Sequence, residues 1–138
     1  MTVIVGRRAL RARMRNFRET ADRVERSCDD PETWHLLLFY GAECGLKERL
    51  LDRGGQPDTT DVPKDHDLRE LAKRLGLPPV VLRDLGTLRA RRVQQEKEPV
   101  ALKDLHQAWR YGAKLVRDDE KRAEKALRNL IAWCEQGR

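Results

Sequence analysis

From Leu102 to Cys134 the apolar residues fall at steps that a helix can use and a strand cannot. Leu102, Leu105, Trp109, Ala113, Val116, Ala123, Leu127, Leu130 and Cys134 keep a three-four rhythm, with Glu120 the one polar break. At 3.6 residues per turn such positions form one stripe, whereas a half-buried strand needs alternation at every second residue. The start of the chain repeats the pattern in Leu10, Met14, Phe17, Ala21, Val24 and Cys28. No sizeable segment alternates with period two. The chain therefore reads as all-α.

Punctuation divides this pattern into about five helices. The first spans about 7–27. The second opens at Pro31 behind an acid, which suits a first helical turn, and stops at Gly54. Inside it, Gly41 and Gly45 lie four apart. Each costs roughly 1 kcal/mol relative to alanine, and the usual return is the close approach of another helix. "GGQPDTTDVPK", residues 54–64, is a loop. A short third helix is expected over 66–75, with Gly76 and Pro78 ending it. A fourth is expected over 79–95, using Val81, Leu85 and Leu88. The last is expected to run from Pro99 toward Gln136, with a kink near "VRDDEK", residues 116–121, or an overhang open to a partner. With 138 residues, the expectation is one helical domain over 1–138 with a long C-terminal helix.

No run approaches the roughly 18 apolar residues that a membrane span needs, so no membrane partner and a cytoplasmic location are expected. Cys28, Cys44 and Cys134 lack CxxC spacing, fall on small or apolar helical positions, and read as buried thiols rather than a disulfide framework or a zinc site. No metal or cofactor site is indicated. The net charge is +6, unevenly spread. Residues 1–28 carry eight bases against three acids, while residues 29–66 carry four bases against nine acids.

The strongest basic feature is "RRALRARMRNFR", residues 7–18, with six arginines in twelve positions. On a helix, Arg8, Arg11, Arg15 and Arg18 share one flank beside the apolar face. They suit phosphate or an acidic protein partner, or they are a solvated face. Arg89, Arg91 and Arg92 extend this surface if the first and fourth helices are neighbours. No GxSxG, HExxH, P-loop or Rossmann glycine pattern occurs. Of the three histidines, His35 beside Trp34 reads as structural. His66 at a helix start, and His106 one turn from Arg110, are candidate functional residues. Trp109 lies on the apolar stripe and belongs to the core. Tyr111 lies off the stripe and is a candidate for stacking on a base.

"YGAECGLKERLLDRGG" (40–55), a loop, and "HDLRELAKRLGLP" (66–78) occur in an order that resembles the HEPN (higher eukaryotes and prokaryotes nucleotide-binding) superfamily. "LRDLGTLRARRV" (82–93) and residues 99–135 would be that family's next and closing helices, so the HEPN-like part covers about 31–135 behind a basic helix. The resemblance implies a helical bundle that dimerises. Family members include RNases of toxin–antitoxin and antiphage systems, and noncatalytic partners of small nucleotidyltransferases. The RNases use an arginine, four to six residues, then a histidine, and none of His35, His66 or His106 has an arginine at that spacing. The expected function is thus a noncatalytic binding or assembly subunit of a defence or toxin–antitoxin type system. Its expected partner is a second copy or another protein, with RNA, other nucleic acid or nucleotide as candidate ligands. The alternatives are a divergent ribonuclease using His66 or His106 with a nonlocal arginine, and a purely structural subunit of a ribonucleoprotein or defence complex.

Overall fold

The computed structural model describes residues 3–27, 29–62, 66–78, 88–91, 97–100 and 102–136. These form an all-α, single-domain bundle with five α-helices, one short hairpin and a long C-terminal helix.

Helix α1, Arg7–Ser27, contains no glycine or proline, and it buries Leu10, Met14 and Ala21. Phe17 and Val24 sit at the margin of that stripe, and Cys28 lies outside the described residues. Helix α2, Pro31–Gly54, starts on Pro31 as expected. Gly55 caps it in the left-handed region at φ 66°, and its N–H donates to Asp52. Glycine adopts that conformation without a Cβ penalty.

The two glycines of α2 show why it is the central helix. A Cβ on Gly45 would lie 2.5 Å from Met14 Sδ of α1 and 3.0 Å from Cys134 Sγ of the last helix. One on Gly41 would lie 3.3 Å from Phe17 Cβ and 3.3 Å from Ile131 Cδ1. The expected close approach therefore involves helices of the same chain, one on each side. Helix α3, Leu68–Arg74, is capped by Asp67, whose carboxylate accepts from the Arg69 and Glu70 N–H groups.

Two expectations need correcting. The fourth helix over 79–95 is not found where the chain is described. Residues 79–87 and 92–96, with Val81, Leu85 and Arg92, lie outside the described residues. Leu88–Arg91 is instead a strand, β1, paired antiparallel with β2, Lys97–Val100, so that Leu88 faces Val100 and Arg89 faces Pro99. Leu88 and Ala90 alternate with Arg89 and Arg91, a period-two pattern too short to stand out. Pro99, with no N–H to donate, is tolerated in a two-stranded ribbon but not inside a longer ladder.

The last helix is also not continuous from Pro99. A 3₁₀ turn, Leu102–Asp104, leads into a short helix α4, Leu105–Arg110, and α5 runs Arg117–Gln136. The break falls at 111–116, just before the expected kink, where Gly112 takes φ 80°. Three acids, Asp118, Asp119 and Glu120, occupy the first turn of α5, where the helix dipole favours them.

The core is formed by Met14, Leu38, Phe39, Leu46, Leu68, Leu71, Leu105, Trp109, Leu115 and Leu127, all nearly inaccessible. Among the described residues no helix is long and apolar enough to cross a membrane.

Candidate functional site

Helix α2 presents Tyr40, Glu43 and Lys47 at steps of three and four, hence on one face. Glu43 is buried and uses both oxygens. Oε1 lies 2.7 Å from His66 Nδ1, and Oε2 accepts from Lys47 Nζ at 2.8 Å. His66 stands just ahead of the Asp67 cap of α3, with 40% of its side chain exposed. Its ring centre lies 4.1 Å from that of His106 on α4. His106 is buried and stacks on Phe39 at 5.5 Å. One turn on, Arg110 donates to the Tyr40 hydroxyl at 2.6 Å. The Tyr40 ring lies 6.3 Å from each imidazole.

The surroundings of His106 shift its proton affinity. Burial first, then His66 and the Arg110 charge, hold His106 below the ordinary histidine value of 6.5, against the opposing pull of Glu43 and the Lys103 carbonyl. His106 is therefore neutral near neutral pH. A hydrogen bond from Nδ1–H to Glu43 leaves Nε2 of His66 as the acceptor nitrogen. Arg110 stands charged at the rim, its pKa pushed further up by hydrogen bonds to the Tyr40 and Tyr111 hydroxyls, and Tyr111 is 78% exposed. The result is a proton acceptor, a second imidazole behind it, a fixed cation and an exposed aromatic ring.

Of the residues singled out in the sequence, His66, His106, Arg110 and Tyr111 come together in this cluster. Glu43 and Lys47 were missed. Their signal was the 40, 43, 47 spacing, opposite the His-Asp start of the next helix. The four arginines of the α1 stripe have different surroundings. Arg18 is taken up by Glu135 of α5 at 2.7 Å, and Arg11 is half-buried with Nη1 unpaired. Arg8 and Arg15 are exposed and pair with no acid among the described residues. Arg89 and Arg91 belong to β1 rather than to a helix, and Arg92 lies outside the described residues. Burial pushes the Cys44 thiol up to about 11 and the Cys134 thiol up to about 12, which suits packing rather than nucleophilic chemistry.

The third histidine is built differently. His35 is buried, with Nδ1 2.7 Å from Glu120 Oε2 and Nε2 2.7 Å from Glu124 Oε1. Trp34 Nε1 donates to Glu124 at 3.1 Å, and the Leu115 N–H donates to Glu120 at 2.8 Å. Glu120, the polar break in the apolar rhythm, thus ties α5 to α2 and to the 111–116 turn. Burial lowers the proton affinity of His35, but the hydrogen bonds and charges of the two carboxylates outweigh it and leave its pKa raised.

Among the described residues no group of three or more His, Cys, Asp or Glu is arranged to hold a metal ion. No protein-family model, no curated protein and no solved structure matches this chain.

Proposed function

We propose that the Glu43–His66–His106–Arg110 cluster is an acid–base site that cleaves RNA, the catalytic alternative to a noncatalytic binding subunit. The observation that carries this reading is the 4.1 Å approach of two imidazoles, one held by a carboxylate and the other beside an exposed arginine. An imidazole whose proton affinity is lowered by its surroundings, set in a cluster with a second histidine and a carboxylate, is a candidate for acid–base work. Arg110 replaces the missing local arginine of the HEPN RNase motif, from four residues beyond His106.

RNA carries its own nucleophile, so the chemistry asks only for proton transfer and charge stabilisation. His66 Nε2 takes the proton of a ribose 2′-hydroxyl. The 2′-oxygen attacks phosphorus, the bond to the 5′-oxygen breaks, that oxygen takes a proton from water, and the hydroxide so formed recovers the proton held on His66. The products are a 2′,3′-cyclic phosphate and a 5′-hydroxyl. Arg110 binds the phosphate as negative charge builds on it. Tyr40 positions Arg110, and Tyr111 offers a face for a base.

The test is incubation of the purified chain with single-stranded RNA in the presence of a chelator. Cleavage leaving cyclic phosphate ends is expected. His66→Ala and Arg110→Ala, prepared identically, should each lower the rate about 100-fold or more. RNA that stays intact while still binding would restore the noncatalytic reading. Cleavage equal in the parent and both variants would belong to a contaminant and would remove this site from the chemistry.

A further inference from the structure

Arg110 and Tyr111 stand where the chain leaves α4, and the end of a six-residue helix needs an anchor. Its own backbone closes the turn. Gly112, in the left-handed region, donates its N–H to Trp109, and the Ala113 N–H donates to Ala108. Those bonds set the shape of the turn but not its place on the bundle.

Glu120 of α5 supplies the anchor. Its Oε1 accepts from the Leu115 N–H at 2.8 Å and takes a longer bond from Trp109 Nε1 at 3.5 Å. Leu115 is 1% exposed and Trp109 3%, so neither side of this contact opens to water. A buried N–H group needs a protein partner, and Glu120 is the partner of both. Its Oε2 lies 2.7 Å from His35 Nδ1, which keeps the carboxylate from rotating away. The two anchored residues, Trp109 and Leu115, flank Arg110 and Tyr111 in sequence. The Arg110 guanidinium then reaches the Tyr40 hydroxyl at 2.6 Å. Glu124 makes an instructive contrast. It approaches the same His35 ring at the same 2.7 Å, but its other partners are Trp34 and Arg128.

We infer that Glu120 is a positioning residue of the RNA-cleaving cluster, holding the Trp109–Leu115 segment so that Arg110 meets Tyr40 and the phosphate while Tyr111 stands at the rim. The kinetic consequence rests on the proposed RNA cleavage, and the structural one does not. The Oε1 arm does the positioning. His35→Gln preserves it, because an amide N–H can still donate to Oε2.

The test compares Glu120→Ala with Glu124→Ala in the full chain, with folding checked by circular dichroism. Both variants remove a carboxylate from His35, so both should lose stability. Only Glu120→Ala should move the NMR signals of the Arg110 Nε–H and the Tyr40 ring, with the His66 ring signals in place. Per folded molecule, Glu120→Ala should lower kcat/KM for RNA about tenfold or more, and Glu124→Ala less than about twofold. Glu120→Gln, whose amide oxygen can still accept from the Leu115 N–H, should recover most of the loss. Glu120→Asp, one methylene too short, should not, and it replaces Glu120→Ala throughout if that variant does not fold. Arg110→Ala should cost about 100-fold in the parent but about tenfold or less once Glu120 is replaced, a coupling that general destabilisation does not produce. Unmoved Arg110 and Tyr40 signals would overturn the inference, as would equal effects of the Glu120 and Glu124 variants or additive losses with Arg110→Ala. Signals that move as expected in a chain that leaves RNA intact would remove the RNA reading and keep Glu120 as the residue that places Arg110.

Discussion

His35 on α2 and His106 on α4 belong to helices that pack against each other, yet their imidazoles meet opposite surroundings. His35 has a carboxylate on each ring nitrogen, at 2.7 Å both ways. His106 faces another imidazole and a guanidinium charge. Burial lowers the proton affinity of both, and only at His35 do hydrogen-bonded acids overcome it. A histidine with both nitrogens committed is a cationic fastener between helices. A histidine kept neutral beside a second, half-exposed imidazole still has proton chemistry to offer. Residue type does not distinguish the two, but the partners on each nitrogen do.

The largest effect that could break this contrast is catalytic. His66→Ala should abolish RNA cleavage by about 100-fold or more, whereas His35→Gln should leave the rate per folded molecule near the parent value. Loss of activity in a His35→Gln protein that retains its parent circular dichroism would place chemistry in the saturated cluster and collapse the distinction.

Stability should divide the other way. His35→Ala removes the cation between Glu120 and Glu124 and leaves only Arg128, 3.4 Å from Glu124, to offset them; removing one partner of a buried ionic group costs about 3 kcal/mol or more. His66 is 40% exposed, and its pairing with Glu43 is partly screened, so His66→Ala should cost within about 1 kcal/mol. Urea unfolding of the two variants measures both. Equal costs would mean that His66 is also a fastener.

The pH dependence sharpens the contrast at a smaller scale. A raised folded pKa gives His35 a stabilisation fully present below 6.5 and lost as pH rises through the folded value. The lowered pKa of His106 works in the opposite sense, with its stabilisation present above 6.5 and lost as pH falls. Glu124 has a lowered pKa, so the His35 fastener also weakens as pH falls through that value, below 4.5. Between roughly pH 5 and 8, the melting-temperature gap between parent and His35→Gln should narrow with rising pH, and the gap to His106→Phe should widen. Gaps that run parallel would show that the two rings do not differ as described.

Much of the fold was legible because α1 and α2 combine strong periodicity with plain stop signals. Gly41 and Gly45 announced a close contact, and the sequence could not say that both neighbours were local to the chain. The last segment was misread because Ala113 and Val116 continue the three-four rhythm through a turn that Gly112 breaks. The rhythm measures which residues are apolar, not whether the backbone between them stays helical. In the site, His66, His106 and Arg110 stood out as residue types. Glu43 did not, since one acid on a helix is ordinary until the fold sets a histidine 2.7 Å from it. Likewise Glu120 looked like a flaw in the stripe, and only the packing of α5 on α2 shows it holding His35. Such partners are 23 to 89 residues apart in sequence, where local spacing carries no signal.

The smallest expected effect concerns how RNA would reach the proposed site at the open cluster rather than the saturated one. Four arginines of α1 were candidates for phosphate contact, but Arg18 is held by Glu135 and Arg11 is half-buried. Arg8 and Arg15 remain exposed and unpaired among the described residues. Each phosphate contact on a single strand contributes a slope of about −0.7 in log affinity against log salt, so two contacts give about −1.4 and four about −3. Reversing Arg8 and Arg15 to Glu should flatten the salt dependence of RNA binding by at least that smaller amount, without loss of helix, because neither side chain belongs to the core. Substrate capture should weaken, while the rate at saturating RNA stays near the parent value. An Arg18→Ala variant should hardly change the slope but should destabilise the α1–α5 contact. A slope reduced by Arg18→Ala and untouched by the Arg8/Arg15 reversal would mean that the internal ion pair opens on binding. A slope changed by neither would make the arginines of α1 a solvated face, and the cluster at His66 would draw its RNA without them.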